Sequence, residues 1–409
     1  MRVLFISEGL DKNSIIAQPW RHMYEIASSM VEQSHEVAIA TDSPYTHIPR
    51  EQKIGQIPTY ILPNTRLPPT MSPRISTSEL QALVEKFSPE VIYWDGGALI
   101  GNYIRKARGI DKPIVVHIST NLYTMRDLRL LEDRSIGRGF FVYALTMSSG
   151  FAGHFVRLLN KEPIKMITVP NESIKQRLAK VGVFKKRIQV LPTPFRKESV
   201  FFSAESSESF TNARDKIGLG PDDFVVAYFG PPQGYRGTDT LLYAAARLKH
   251  KLPQLKIAML MRTSQGSQDR GETLLKSITS DLQLHEKVKF VTGILAREDL
   301  LGMIRSFDVV ALPFKFVLNE PPITALEAMA LGKPLITTRV SGLPALVGDN
   351  AFLVEPRNDS DLADAIYFIA KNFEEARERG RRARECVLSL PEWNDYAKHV
   401  LELFERVRN

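Results

Sequence analysis

Short apolar runs and amphipathic stretches alternate along this chain, and the alternation restarts once. In the first half, residues 2–7, 35–41, 90–94, 113–117, 166–169 and 188–191 have the length and β-branched character of buried strands. Met23, Ile26, Ala27 and Met30 recur at three and four between the first two runs, which predicts a helix over 20–32. Further helical patterns cover 99–108 and 174–181. Strand, helix, strand implies a parallel sheet, because a parallel return needs a crossover. The second half repeats the scheme with runs at 224–229, 257–261, 288–291, 309–312, 335–338 and 351–354, and helices at 240–250 and 362–371. The proline-rich residues 57–73 read as loop, and the serine-rich 203–211 as a linker.

A chain of 409 residues exceeds what one core fills, so two Rossmann-like α/β domains are expected, residues 1–200 and 201–385, with a terminal helical segment at 386–409. Hydrophobic content of 44% and charged content of 24% are ordinary for a globular protein. A single cysteine, Cys386, excludes an internal disulfide, and the first apolar run is too short for an export signal, so a cytoplasmic setting is expected. Accordingly, the sequons at Asn171 and Asn358 read as chance matches. No stretch approaches the roughly 20 apolar residues of a membrane span.

The formal charge of +8 concentrates between Arg157 and Lys197, where eleven Lys or Arg face only Glu162 and Glu172. Just upstream, residues 139–159 are apolar and aromatic, with Phe140, Phe141, Tyr143 and Phe151 among them. Two readings stay open: a peripheral surface lying on anionic lipid, at the inner membrane face, or a core helix followed by a solvated basic one. Asp359-Ser360-Asp361 precedes the helix at 362–371 and reads as a helix cap, not a metal site. No Gly-x-Gly-x-x-Gly follows the first strand, which weakens a nucleotide-cofactor reading.

The densest chemistry lies in residues 319–338. Pro321 and Pro322 open a helix rich in Ala, Leu and Met, Gly332 offers its C-cap, and Pro334 forbids continuation before a short strand. The amides of Ile323 and Thr324 at such a helix start suit a phosphate. Glu327 interrupts an otherwise apolar helix, and both a solvated-face carboxylate and a buried ligand remain open. Gly230 to Gly237 forms a glycine-rich turn after the strand at 224–229, carrying Arg236; a phosphate cradle and a plain turn are both open. His117 ends an apolar strand at the carboxyl edge, where α/β sheets place ligand contacts.

The run Glu327-Ala-Met-Ala-Leu-Gly-Lys-Pro334 resembles the signature of retaining family 4 glycosyltransferases, which have the GT-B fold of two Rossmann-like domains facing a cleft. That family usually has seven residues between two glutamates; here Glu320 and Glu327 have six, so Asn319 takes the usual first position. The resemblance implies transfer of a sugar from a nucleotide-sugar donor to an acceptor hydroxyl of a glycan or lipid-linked saccharide, with no metal, no cofactor and no nucleic-acid partner. It gives Glu327 the ribose hydroxyls, and His117 with Glu320 or Asn319 the donor sugar. Arg236 matches one of two cations on the donor diphosphate, Pro231 replaces the other, and Arg262 is a substitute. Thr292 and Gly293 match the loop bordering the base. The terminal helix would cross back to the first domain. The missing cation and altered spacing leave a second reading, a catalytically silent GT-B scaffold that binds a partner or lipid through the basic face.

Overall fold

The computed structural model describes residues 1–16, 19–43, 48–63, 75–95, 109–120, 122–124, 158–197, 213–263 and 270–408. The helix expected at 99–108, the linker at 203–211 and most of the apolar stretch at 139–159 lie outside them.

Two sheets organise the chain. The first holds β1 (Arg2–Ile6), β2 (Glu36–Ser43), β3 (Arg50–Ile54), β4 (Ile57–Pro63), β5 (Val91–Asp95), β6 (Ile114–His117), β7 (Ile164–Val169) and β8 (Ile188–Val190), in the order 3-4-2-1-5-6-7-8. Only β3 runs antiparallel, against β4. The second holds β9 (Phe224–Gly230), β10 (Leu255–Met261), β11 (Val288–Thr292), β12 (Val309–Leu312), β13 (Leu335–Thr338) and β14 (Phe352–Val354), all parallel, in the order 11-10-9-12-13-14. Parallel strands are covered on both faces, which is why β5, β6 and β12 are buried from end to end. In each sheet the order reverses beside a central strand, β1 in one and β9 in the other, and opens a crevice at the carboxyl ends.

The loop expectation at 57–73 fails for its first part. Residues 57–63 form β4, joined to β3 by a turn at Gly55, whose φ of +60° suits glycine. The signal was faint because β3 reads Arg-Glu-Gln-Lys-Ile, a charged edge strand without an apolar face. Helices at Thr77–Phe87, Arg270–Asp281 and Arg297–Ser306 also go beyond the sequence reading.

The helix Trp20–Glu32 packs against the terminal helix Trp393–Arg408. Trp393, Tyr396, Val400 and Phe404 share one core with Val3, Phe5, Met23 and Tyr93, so the last helix completes the first domain. Position 385 lies inside the helix Phe373–Leu388, and the returning helix begins at Trp393. The two chain crossings run side by side: Phe195 N–H donates to the Pro391 carbonyl at 3.1 Å.

Candidate functional site

The carboxyl ends of the two sheets meet at residues 313–320, the loop that leaves β12. Its Phe316 joins the first domain's core and packs at a tilt against Tyr123, 4.1 Å between centroids. Thr120, just beyond β6, pairs with Asn319 as an isolated antiparallel bridge. Asn319 Oδ1 accepts the Thr120 hydroxyl at 3.2 Å and the Ser119 hydroxyl at 3.4 Å, while Glu320 N–H donates to the Ser119 carbonyl at 2.9 Å.

Glu320 is 3% exposed, and its carboxylate joins two domains. One oxygen accepts the Gly342 N–H at 2.9 Å, and the other accepts the side-chain amide of Asn171. Asn171 in turn caps the helix Glu172–Lys180, its Oδ1 accepting from Ile174 N–H at 2.9 Å. Burial pushes the Glu320 carboxyl above its ordinary range, while these two donors pull it down. The two residues expected near the donor sugar also link the lobes: Asn319 bonds to 119–120, and Glu320 to 171 and 342.

The second domain supplies the cationic wall. Gly230 ends β9 with φ +131°, and a Cβ there would come within 2.9 Å of an Arg236 terminal nitrogen. The Arg236 Nε and Nη1 atoms are buried and have no hydrogen-bond partner among the described residues. Phe314 and Tyr235 lie under its guanidinium at 5.5 and 6.0 Å. The turn that carries it is fastened to the 313–320 loop, since Tyr235's carbonyl accepts from Lys315 and Phe316 N–H at 2.9 and 3.0 Å. Lys315 is itself buried and pairs with Asp239 at 2.6 Å. Arg262 follows β10, its N–H on the Gly230 carbonyl at 3.1 Å. Its pKa is lowered first by burial, then by Arg236, with Glu327 opposing, so all three groups share one electrostatic neighbourhood.

The helix Ile323–Ala330 starts at the same edge. Its Thr324 hydroxyl is buried without a hydrogen-bond partner among the described residues. Glu327 is 6% exposed, which excludes the solvated-face reading. Its Oε1 accepts from Arg297 at 2.7 Å, so the carboxylate is already neutralised by a residue that sequence inspection passed over. Arg297 opens the helix Arg297–Ser306, five residues beyond Thr292, which ends β11; Gly293 follows with φ +113°. Nothing in the local pattern marks Arg297, whereas Asn171 carried the signal of a cap residue before a helix.

The first domain contributes a wall of its own. Arg21, in the first turn of Trp20–Glu32, lies 3.6 Å from Glu25, which also pairs with Arg196. Burial lowers the Arg21 pKa most, then Arg297, while Glu25 and Glu327 raise it, which places Arg21 opposite the Glu327–Arg297 pair. His117 closes β6, 1% exposed, stacked on His22 at 3.9 Å, with its Nδ1 at 3.1 Å from the Thr168 hydroxyl. Burial drives the His117 imidazole down to about 3, so the ring is neutral. Asp95, beside His117 across β5 and β6, is pushed up to about 7 by burial; one oxygen accepts the Ser7 hydroxyl at 3.3 Å.

The basic stretch is less bare than its sequence suggests. Lys165 and Arg187 pair with Glu162, Lys175 with Glu172, Arg196 with Glu25 and Lys197 with Glu392. Asp359 pairs with Arg247, Asp361 accepts the Glu355 N–H at 2.7 Å, and the cap of that helix is Asn358. Among the described residues, no helix is long and apolar enough to cross a membrane.

Two family models match consecutive parts of the chain, Glycosyltransferase Family 4 over residues 20–198 and Glycosyl transferases group 1 over 209–386. A D-inositol 3-phosphate glycosyltransferase of Corynebacterium jeikeium is 31% identical over 40% of this chain and 39% of its own length. Its counterpart from Saccharomonospora viridis is 34% identical over 42% and 41%. The chain therefore spans about two-fifths of the length of these relatives. Among solved structures, sucrose-phosphate synthase of Thermosynechococcus elongatus superposes with a TM-score of 0.76 at 19% identity, covering 99% of this chain and 98% of that one. Anabaena HepE in complex with UDP gives 0.74 at 16%, covering 99% and 100%. With both halves matched in order and the two parallel sheets meeting at their carboxyl ends, the chain belongs to the family 4 glycosyltransferases of GT-B fold.

Proposed function

We propose that this protein transfers a sugar from a nucleoside-diphosphate sugar to an acceptor hydroxyl, with retention of anomeric configuration and with guanidinium groups in place of a metal at the diphosphate. The observation that carries the reading is the gathering of Arg236, Arg262, the tip of Ile323–Ala330 and the buried Glu327–Arg297 pair at one sheet edge. The Arg236 donors and the Thr324 hydroxyl, without partners among the described residues, suit phosphate oxygens, because unpaired buried polar groups are costly unless a ligand meets them. Relatives solved with UDP and UDP-glucose share the fold and support the same class of donor.

In this reading, Arg236, Arg262 and the helix amides of Ile323 and Thr324 take up the charge that develops on the departing diphosphate, so catalysis is mainly electrostatic. Glu327 accepts the ribose hydroxyls and Arg297 holds its carboxylate in place. Thr292 and Gly293 border the base. His117 meets the donor sugar from the first domain, and the Asn319–Glu320 clasp sets its distance from the second. The acceptor enters beside β1 and β5, where Arg21 and Asp95 line the wall. The acceptor class is a glycan or lipid-linked saccharide. Exposed Phe184, Lys185 and Lys186 form the patch that would touch an anionic membrane carrying it.

The test is incubation with a panel of nucleotide-sugars and a membrane extract, reading nucleoside-diphosphate release and the anomeric configuration of the product. Release above that of Glu327→Ala, with a retained anomer, is the expected result. An inverted product, or no release with any donor, overturns the proposal.

A further inference from the structure

Three fully buried groups form a chain behind the candidate sugar site. The Tyr93 hydroxyl lies 3.1 Å from Thr168 Oγ1, and Thr168 Oγ1 lies 3.1 Å from His117 Nδ1. Tyr93 and Thr168 are both 0% exposed. They come from three adjacent strands: Tyr93 on β5, His117 on β6 and Thr168 on β7, with His117 opposite Thr168 in register. His22 stacks on the imidazole face and fixes its plane. The edges of Trp393 and Tyr396 pack against His22 from the terminal helix.

The direction of the chain follows from counting protons. A neutral imidazole has one N–H and one lone pair, and which nitrogen carries the proton is set by the partner of the other. If Tyr93 donates to Thr168, Thr168 must donate to His117 Nδ1, and both hydroxyl protons are used. If instead Nδ1–H donates, Thr168 donates to Tyr93, and the Tyr93 proton needs a further acceptor. The adjacent hydroxyl is that of Tyr396, which is buried, interacts with Tyr93 and has no other acceptor for its own proton among the described residues. Passing the proton there only moves the orphan one ring deeper. In the first direction Tyr396 can donate to the Tyr93 oxygen, so that direction leaves one fewer buried hydroxyl unsatisfied among the described residues.

We propose that Thr168 is a positioning residue which, backed by Tyr93, fixes His117 as the Nε2–H tautomer, so that the ring meets the donor sugar as a hydrogen-bond donor and cannot act as a base. This rests on the placement of His117 against the donor sugar. The tautomer itself is a property of the free protein. Burial holds the ring neutral, in keeping with a donor whose proton is never lost to the cleft.

The experiment is a long-range proton–nitrogen correlation on protein with 15N-labelled histidine at pH 7, the His117 signals being assigned by their absence in His117→Gln. The expected spectrum has a protonated Nε2 and an unprotonated Nδ1. Thr168→Val removes the donor while keeping the shape, and is expected to mix or invert the tautomers and to lower kcat about tenfold, with donor KM changed less than about threefold. Thr168→Ser keeps the hydroxyl and restores both. A parent spectrum showing Nδ1–H or imidazolium overturns the proposal without any variant. So does a Thr168→Val protein whose His117 signature and kcat match the parent. Full activity of His117→Gln would instead remove His117 from the site while leaving the tautomer assignment standing.

Discussion

Glu320 and Asn171, 149 residues apart, meet through a carboxylate that accepts the asparagine's amide while the same asparagine caps a helix with its oxygen. Because Oδ1 is committed to Ile174, the amide can only point at Glu320, and the second carboxylate oxygen is committed to Gly342 N–H. The contact therefore has one polarity, and it ties the end of the first domain's β7 to the loop beyond the second domain's β13.

Glu320→Ala leaves two donors unpaired, each worth about 1–3 kcal/mol. The expected outcome is a clear loss of stability in urea, on the order of 3 kcal/mol. Glu320→Gln should fail to rescue it, since one amide oxygen cannot serve both donors and its NH2 would face that of Asn171. An unchanged urea midpoint in Glu320→Ala would show that the clasp is not holding the lobes.

Glu327→Ala is expected to weaken nucleotide-sugar binding by about 10- to 100-fold, the range of a hydrogen bond to a charged group. Arg297→Ala should lower thermal stability by stranding a buried carboxylate, and the double mutant should recover part of that loss. Calorimetry with the donor and melting curves for the three variants check both halves. Additive melting losses would refute the coupling.

Arg236→Ala should cost donor affinity more than stability, because its Nε and Nη1 serve no partner among the described residues. Arg236→Lys should recover little, for a lysine cannot reproduce the guanidinium fork stacked over Phe314. Equal donor affinity in parent and Arg236→Ala would exclude it from the diphosphate site.

Asp95 and His117 pull the pH profile in opposite directions. Asp95 titrates near 7 when folded and near the ordinary aspartate value when unfolded, so the folded state holds the extra proton between about 4 and 7. Stability from this group therefore falls as pH rises through that window, by at most about 1.4 kcal/mol per unit. His117, held near 3, binds its proton more readily unfolded, so its contribution is lost as pH falls below the ordinary histidine value. Asp95→Asn should gain stability relative to the parent steadily from pH 4 to 7. Parallel profiles of urea midpoint against pH would refute the assignment.

Much of this architecture was legible because parallel sheets bury both faces of each strand. The runs at 309–312 and 335–338 therefore stand out as continuous apolar stretches and match β12 and β13 residue for residue. The edge hairpin of β3 and β4 was invisible for the converse reason, since Arg50, Glu51 and Lys53 solvate an edge. Glu327 was found because a carboxylate in an apolar helix violates a local rule, but its partner Arg297 violates none. The clasp made by Glu320 is not legible in the sequence, because its partners Asn171 and Gly342 are distant along the chain and only folding brings them to it.

The terminal helix has a further consequence during synthesis. Tyr396, Val400 and Phe404 supply one face of the core around β1, so the nascent first lobe must wait with that face bare until the second lobe has been translated. Assembly of the amino-terminal half is thus governed by residues that leave the ribosome only after the whole second lobe. A chain cut after residue 390 should emerge with an exposed oily seam and depend on chaperones.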